Sequence, residues 1–217
     1  MYKDSEINVT IHNKEEAAKM RKAGRIAAKV LDYIAPFVKP DCTTEFLDKK
    51  CHTFILKNDA IPAPLNYKGF PKSICTSINH VVCHGIPGNK KLHNGDIINI
   101  DITVIVNGWH GDTSRMFWVG NPGIKAKKLC ETTFEAMWKG IETVKPGSTL
   151  GDIGSAIQSY VEKKGYSVVK DFCGHGIGKV FHDNPSILHY GKKGEGIILK
   201  EGMFFTIEPM INVGESG

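Results

Sequence analysis

The chain has 217 residues, 41% of them hydrophobic and 24% charged, with a formal net charge of +5. That composition excludes a disordered, fibrous or membrane-embedded protein, and the length suits one domain, or two small ones, with a core large enough to need no cross-links. The most apolar run, Ile97 to Val106, is about half a bilayer span and carries Asp101, and Met1 to Glu6 lacks an apolar signal stretch, so the cytoplasm is the expected compartment.

Asn13 followed by Glu16 forms a capping box, and Met20, Ala23, Ala27, Val30, Leu31 and Ile34 recur at helical spacing. A helix is predicted from about Lys14 to Ile34, stopped by Pro36. Thr43 or Thr44 caps a second helix with Leu47, Cys51, Phe54 and Ile55 on one face, giving out near Asn58. Pro62, Pro64, Gly69 and Pro71 punctuate a loop. Ser73 to Cys83 and Asp96 to Val106 read as β-rich stretches, bounded by Gly85-Ile86-Pro87-Gly88 and Asn94-Gly95. A third helix from about Ile124 is predicted to carry Leu129, Thr133, Ala136, Met137, Gly140, Ile141 and Val144 in register. A fourth starts at the Thr149-x-x-Asp152 cap, with Leu150, Ile153, Ile157, Tyr160 and Val161 along one stripe. Phe204 to Pro209 reads as an apolar strand bearing Glu208.

Val38-Lys39-Pro40-x-x-Thr43 returns 106 positions later as Val144-Lys145-Pro146-x-x-Thr149. Leu92-x-x-Gly95 leading to Ile100-Asp101 returns 107 positions later as Leu199-x-x-Gly202 leading to Ile207-Glu208. Two matches in the same order on the same elements indicate two similar halves, about 13–120 and 121–217, each a helix pair followed by strands. Segregated helices and strands predict a single α+β domain, helices covering one side of a curved antiparallel sheet that the halves share.

Asn107-Gly108 between apolar strands is a type I′ hairpin signal, because both central residues need positive φ. Val106 then pairs with Trp109 and Asp112 with Thr103, so Asp101 and Asp112 share a face as diagonal neighbours about 7–8 Å apart. Two such carboxylates repel unless a cation lies between them, an arrangement known from two-metal hydrolases. The repeat places Glu208 where Asp101 lies, and symmetry would bring the two acids to a common site. Cys83-His84-Gly85-Ile86 is echoed by Gly174-His175-Gly176-Ile177, followed by Phe181-His182, and the glycines beside His175 permit close approach. His110 pairs with Ile105 on the Asp101 face, and spacing alone does not exclude it as a ligand.

Other chemistries lack support. There is no H-E-x-x-H helix, nucleophile elbow or phosphate-binding loop, and Gly174-x-Gly176-x-Gly178 is not a dinucleotide fingerprint. The six cysteines include no C-x-x-C pair and read mostly as buried thiols. The lysine pairs are dispersed, which argues for a solvated surface and against a nucleic-acid face. Acids with few imidazoles favour Mn²⁺, Fe²⁺ or Co²⁺ over a thiolate-bound zinc.

Asn79-His80-Val81-Val82-Cys83-His84-Gly85-Ile86-Pro87, Asn99-Ile100-Asp101-Ile102-Thr103, His110-Gly111-Asp112-Thr113-Ser114, Cys173-Gly174-His175-Gly176-Ile177-Gly178 and Thr206-Ile207-Glu208-Pro209-Met210 resemble the successive signatures of type I bacterial methionine aminopeptidases. The likeness runs from about His12 to Val213. It implies the pita-bread fold, cytosolic removal of initiator methionine from nascent proteins, and two divalent metal ions. By the same resemblance Asp101, Asp112, His175 and Glu208 match metal ligands and His110 does not. Glu208 takes the proton of the attacking water, while His84 and His182 contact the substrate around its scissile bond and stabilise the oxyanion. Tyr67, Phe70 and Phe181 fall where the methionine side-chain pocket is lined, and Pro64 stands where bacterial members often carry a rim cysteine.

The family pattern continues to a further strand with a second bridging glutamate and a pocket tryptophan. The repeat puts the counterpart of Asp112 near position 219, so the expectation is a chain lacking its last strands and one bridging carboxylate, with an open sheet edge. The expected partners are N-termini of nascent polypeptides, the +5 charge being compatible with ribosome proximity, and the expected state is a monomer without membrane or specific nucleic-acid partners. The alternatives are an X-Pro peptidase of the same fold, disfavoured by the short chain, and a metal-free binding module, disfavoured by the intact acids and His175.

Overall fold

Asn13 Oδ1 accepts the Glu16 N–H at 2.9 Å and Glu16 accepts the Asn13 N–H at 3.1 Å, so the capping box starts helix α1 (Lys14–Ile34) as expected. The computed structural model describes residues 8–214; the polar segment Met1 to Glu6 and the last three residues lie outside the described residues. The chain divides into two compact units, Ala18–Lys127, and Met1–Ala17 with Lys128–Gly217.

In the first unit α1 buries Ala23, Ala27, Val30, Leu31 and Ile34, the predicted stripe apart from partly buried Met20. Helix α2 (Thr44–Lys57) is capped by Thr43, whose Oγ1 accepts the Phe46 N–H. The strands β1 (Ile61–Pro62), β2 (Cys75–Ile78), β3 (Ile97–Val106) and β4 (Trp109–Trp118) form one antiparallel sheet around β3. β4 takes one edge of β3, from Ile97↔Trp118 to Val106↔Trp109; β1 and β2 share the other. Asn107 and Gly108 have φ of 51° and 80°, the conformation a type I′ turn requires. The stretch Ser73 to Cys83 is strand only to Ile78. Asn79 turns left-handed at φ 52°, its Oδ1 accepting the Ile97 N–H and its Nδ2 donating to Asp96, which ends the ladder.

Asp48 is buried on α2, and its Oδ1 accepts the N–H groups of Ser73 and Ile74 at 2.8 and 3.2 Å. Burial raises its pKa above the usual carboxylate value, against the opposing pull of those two bonds. A raised folded pKa means that, as pH rises past the ordinary value, the unfolded chain ionises first and Asp48's contribution to stability is lost. Asp48→Asn keeps the Oδ1 acceptor and removes the charge, so its urea midpoint should equal or exceed wild type at pH 7, with the advantage shrinking at pH 3. Asp48→Ala orphans two buried donors and should cost about 2–3 kcal/mol.

In the second unit α3 (Ile124–Ile141) and α4 (Leu150–Lys163) pack with Val168, Ile187, Leu199 and Ile211 into one core. Of the expected face of α3, Ala136 and Gly140 are buried and Leu129, Thr133, Met137 and Ile141 partly buried, and Cys130 and Thr132 are buried beside them. Thr133 turns its hydroxyl back onto the Leu129 carbonyl, and Val144 lies beyond the helix and is exposed. Gly140 sets this register, since a Cβ there would come within 2.7 Å of Ile157 Cδ1. α4 begins in a full Thr149–Asp152 capping box. Two short ladders follow, β5 (Tyr166–Val168) with β8 (Ile211–Val213), and β6 (Gly174–Gly176) with β7 (Asp183–Ile187). The segment expected as a strand at Phe204 to Pro209 joins by one bridge, Gly176↔Phe205, and the strand lies at β8 instead. The described residues therefore form three antiparallel sheets where one was expected.

The internal repeat extends to hydrogen bonds. Asp41 N to Leu92 O, Leu92 N to Cys42 O, Thr44 N to Lys90 O and Glu45 N to Gly88 O in the first unit recur in the second as Gly147 N to Leu199 O, Leu199 N to Ser148 O, Leu150 N to Ile197 O and Gly151 N to Glu195 O. In each unit a Thr-capped helix is tied to the chain ahead of the next strand or extended segment.

Candidate functional site

The hairpin register pairs Asp112 with Thr103 and Asp101 with Ser114 on β4 and Cys75 on β2. Side chains alternate along strands, so Asp101 and Asp112 share a face, as expected, and both are partly buried. His110, two residues from Asp112, lies buried opposite Ile105 on that face. The neighbouring Cys75 thiol is pushed far above its ordinary pKa by burial first, with the carboxylates of Asp101 and Asp112 adding to the effect, so it stays a neutral thiol. Of the six cysteines, Cys51, Cys75 and Cys130 are buried and Cys42, Cys83 and Cys173 partly so.

His84 is exposed in the loop after β2, left-handed at φ 53°. The following Gly85 is pinned to β2: its carbonyl accepts the Thr76 N–H and its N–H donates to Ser77 Oγ. A Cβ on Gly85 would stand 2.1 Å from Thr76 O, so glycine is required. The proposed echo between His84 and His175 does not reach conformation, since His175 sits in β6. Tyr67 and Phe70, both partly buried, flank a tight 3-10 turn closed by Phe70 N to Tyr67 O and Asn66 N to Phe70 O, next to buried Pro64.

In the second unit the Gly-His-Gly signature is explained by backbone approach. A Cβ on Gly174 would lie 2.4 Å from Thr206 O, and one on Gly176 2.0 Å from Asn184 O. The 204–206 segment can therefore run against β6, with Thr206 N to His175 O at 2.9 Å. The Thr206 hydroxyl accepts the His175 N–H at 3.0 Å and donates to Glu208 Oε1 at 2.6 Å. His175 Nδ1 donates to the Gly176 carbonyl at 2.9 Å, which leaves Nε2 as the lone-pair nitrogen, 3.6 Å from Glu208 Oε1. Phe181 stacks on His182 at 4.1 Å between centroids, and the His182 ring lies 4.3 Å from that of His175. His175, His182, Phe181 and Glu208 are thus gathered in one place.

Within either unit, among the described residues, no three His, Cys, Asp or Glu side chains cluster as one metal site. The donor chemistry nevertheless fits a divalent cation. The 3.6 Å between His175 Nε2 and Glu208 Oε1 is too long for a hydrogen bond and suits two donors each about 2.1 Å from one ion. An Nδ1–H donated to a carbonyl is the usual outer support of a metal-ligating histidine. Two residues escaped sequence reasoning, Thr206 as the hydroxyl joining His175 to Glu208, and His189, whose Nε2 accepts the Glu208 N–H at 3.0 Å. His189 is fully buried, which pushes its pKa down to about 4. Thr206 lies inside the Thr206-Ile207-Glu208-Pro209-Met210 signature, whereas His189 has no motif around it.

Acidic and imidazole donors of this kind are the side-chain set that metal-dependent hydrolases use. Within that class the chain belongs to metallopeptidase family M24, whose model matches residues 18–217. It is 64% identical over 208 residues to the methionine aminopeptidase of Rickettsia prowazekii (strain Madrid E), spanning 96% of this chain and 80% of that protein. The crystal structure of methionine aminopeptidase from Rickettsia prowazekii matches with a TM-score of 0.96 over 97% of this chain and 85% of that one. The enzyme of the same name from Thermotoga maritima matches at 0.94 and 34% identity, covering 96% and 84%. A prolidase from Pyrococcus furiosus reaches 0.77 at 27% identity, covering 92% of this chain and 57% of its own. The α+β pita-bread fold expected from the sequence is that of the first two.

Proposed function

We propose that the chain is a methionyl aminopeptidase that removes the N-terminal methionine of nascent proteins in the cytoplasm. The observation that carries this reading is the similarity to methionine aminopeptidases along nearly the whole chain. Asp101, Asp112, His175 and Glu208 are the proposed ligands of two divalent ions, Co, Mn or Fe by donor type. Bound there, such ions supply Lewis-acid chemistry that makes water acidic enough to react near neutral pH. Glu208 accepts the proton that water gives up, and Thr206 holds the carboxylate oxygen in place for it. His84 and His182 orient the peptide and donate hydrogen bonds to the developing oxyanion. Tyr67, Phe70 and Phe181 line the pocket for the methionine side chain.

Release of methionine from a Met-Ala peptide, followed chromatographically, tests the reading. Activity should vanish on chelation and return on reloading with Co²⁺, Mn²⁺ or Fe²⁺, with about two ions bound per chain. Cleavage before proline, or no methionine release at any metal load, overturns it.

A further inference from the structure

His189 lies two residues beyond β7, in a stretch of backbone packed directly on α4: a Cβ on Gly154 would stand 2.3 Å from Tyr190 O and 2.8 Å from Leu188 O. Gly191 N–H donates to Gln158 Oε1 of the same helix. The backbone on both sides of His189 is therefore anchored to α4. Its ring is fully buried and meets the Glu208 backbone N–H at Nε2, 3.0 Å away. An N–H can only donate, so Nε2 must offer its lone pair and the ring proton sits on Nδ1. Nδ1 is buried and meets no protein hydrogen-bond partner among the described residues. A histidine kept only to fill volume would be replaced without loss by an apolar side chain. Here the fully buried ring presents an acceptor to the Glu208 amide, a buried polar bond that an apolar side chain would leave unmade.

We propose that His189 is a positioning residue for the metal-ligating carboxylate: by accepting the Glu208 amide from an anchor on α4, it fixes the backbone that aims the Glu208 side chain at His175. Thr206 completes the hold, since its hydroxyl grips Glu208 Oε1 while bonding the His175 N–H. Glu208 is held at both ends, at the amide by His189 and at the carboxylate by Thr206. The inference rests on the reading of Glu208 as a metal ligand.

The test combines three measurements on the whole chain. Long-range ¹H–¹⁵N correlation NMR of the metal-free protein should show His189 as the Nδ1–H tautomer, with Nε2 unprotonated; an Nε2–H signal overturns the proposal whatever the activity. His189→Leu should lower metal affinity by calorimetry, and kcat in the Met-Ala assay, by about 10–100-fold with KM within twofold. His189→Gln, whose side-chain carbonyl can replace Nε2 as acceptor, should recover both to within about fivefold. Equal losses in the Leu and Gln variants at matched folded fraction, or wild-type affinity in a folded Leu variant, overturn it. If His189→Leu does not fold, the NMR tautomer and the Gln variant decide. Failure of the parent reading looks different: Glu208→Gln would then bind metal as wild type does.

Discussion

Asp101→Asn is expected to reduce methionine release by at least about 10³-fold and to lower the bound metal below two ions per chain. Asp101 sits in the middle of β3 with partners on both edges, Cys75 on one side and Ser114 on the other. Its backbone is thereby fixed by ladders that do not depend on the carboxylate, and asparagine has the same shape. The substitution removes a negative charge from a pair with Asp112 and replaces the proposed anionic ligand with a weak amide oxygen. Relief of like-charge repulsion at about 7–8 Å is of order 1 kcal/mol for partly exposed groups. The metal-free variant should therefore melt at or slightly above the wild-type temperature while losing turnover. Calorimetric melting beside the peptide assay checks both halves, and a variant with full activity refutes the role assigned to Asp101.

Gly111→Ala is expected to destabilise the protein by about 3 kcal/mol, a fall in Tm of about 6–12 °C for a chain of this size. A Cβ at Gly111 would lie 2.3 Å from Ala23 C, 2.4 Å from Ala23 O and 2.5 Å from Gly24 N, all main-chain atoms of α1. Backbone cannot rotate away as a side chain can, so the helix has to lift from the strand. Gly24→Ala, one residue along on the same helix, has nothing within 4 Å of the new Cβ. It should stabilise by about 0.5–1 kcal/mol through helix propensity alone. Thermal melts of the two variants, measured side by side, test whether close backbone approach of α1 to β4 holds the strand that carries Asp112. Because Asp112 follows Gly111 directly, the Gly111→Ala variant should also lose activity at temperatures where it remains folded.

Much of this was legible in the residues themselves. The capping boxes at Asn13 and Thr149 and the Asn107-Gly108 turn each depend on groups within a few positions of one another, and each formed where expected. The turn then dictated register, and register alone put Asp101 and Asp112 on one face. The repeat, read from a few matched residues, proved to run down to paired main-chain hydrogen bonds. On α3 the spacing found the buried Ala136 and Gly140 but not Cys130 and Thr132, and it ran on to Val144, which lies beyond the helix and is exposed. The segment at Glu208 was misread as a strand because an apolar run does not reveal whether its main chain finds a continuous ladder partner.

The sequence by itself determined the helices, the hairpin and the twofold repeat, and it proposed the donors, since short-range geometry and side-chain chemistry are carried by neighbouring residues. Only the tertiary structure decided how those donors are held. Thr206 reaches across 31 positions to His175, His189 reaches across 19 to Glu208, and Gly111 lies against Ala23. Such contacts arise from packing whole elements together, and no local periodicity encodes which backbone amide will face which ring.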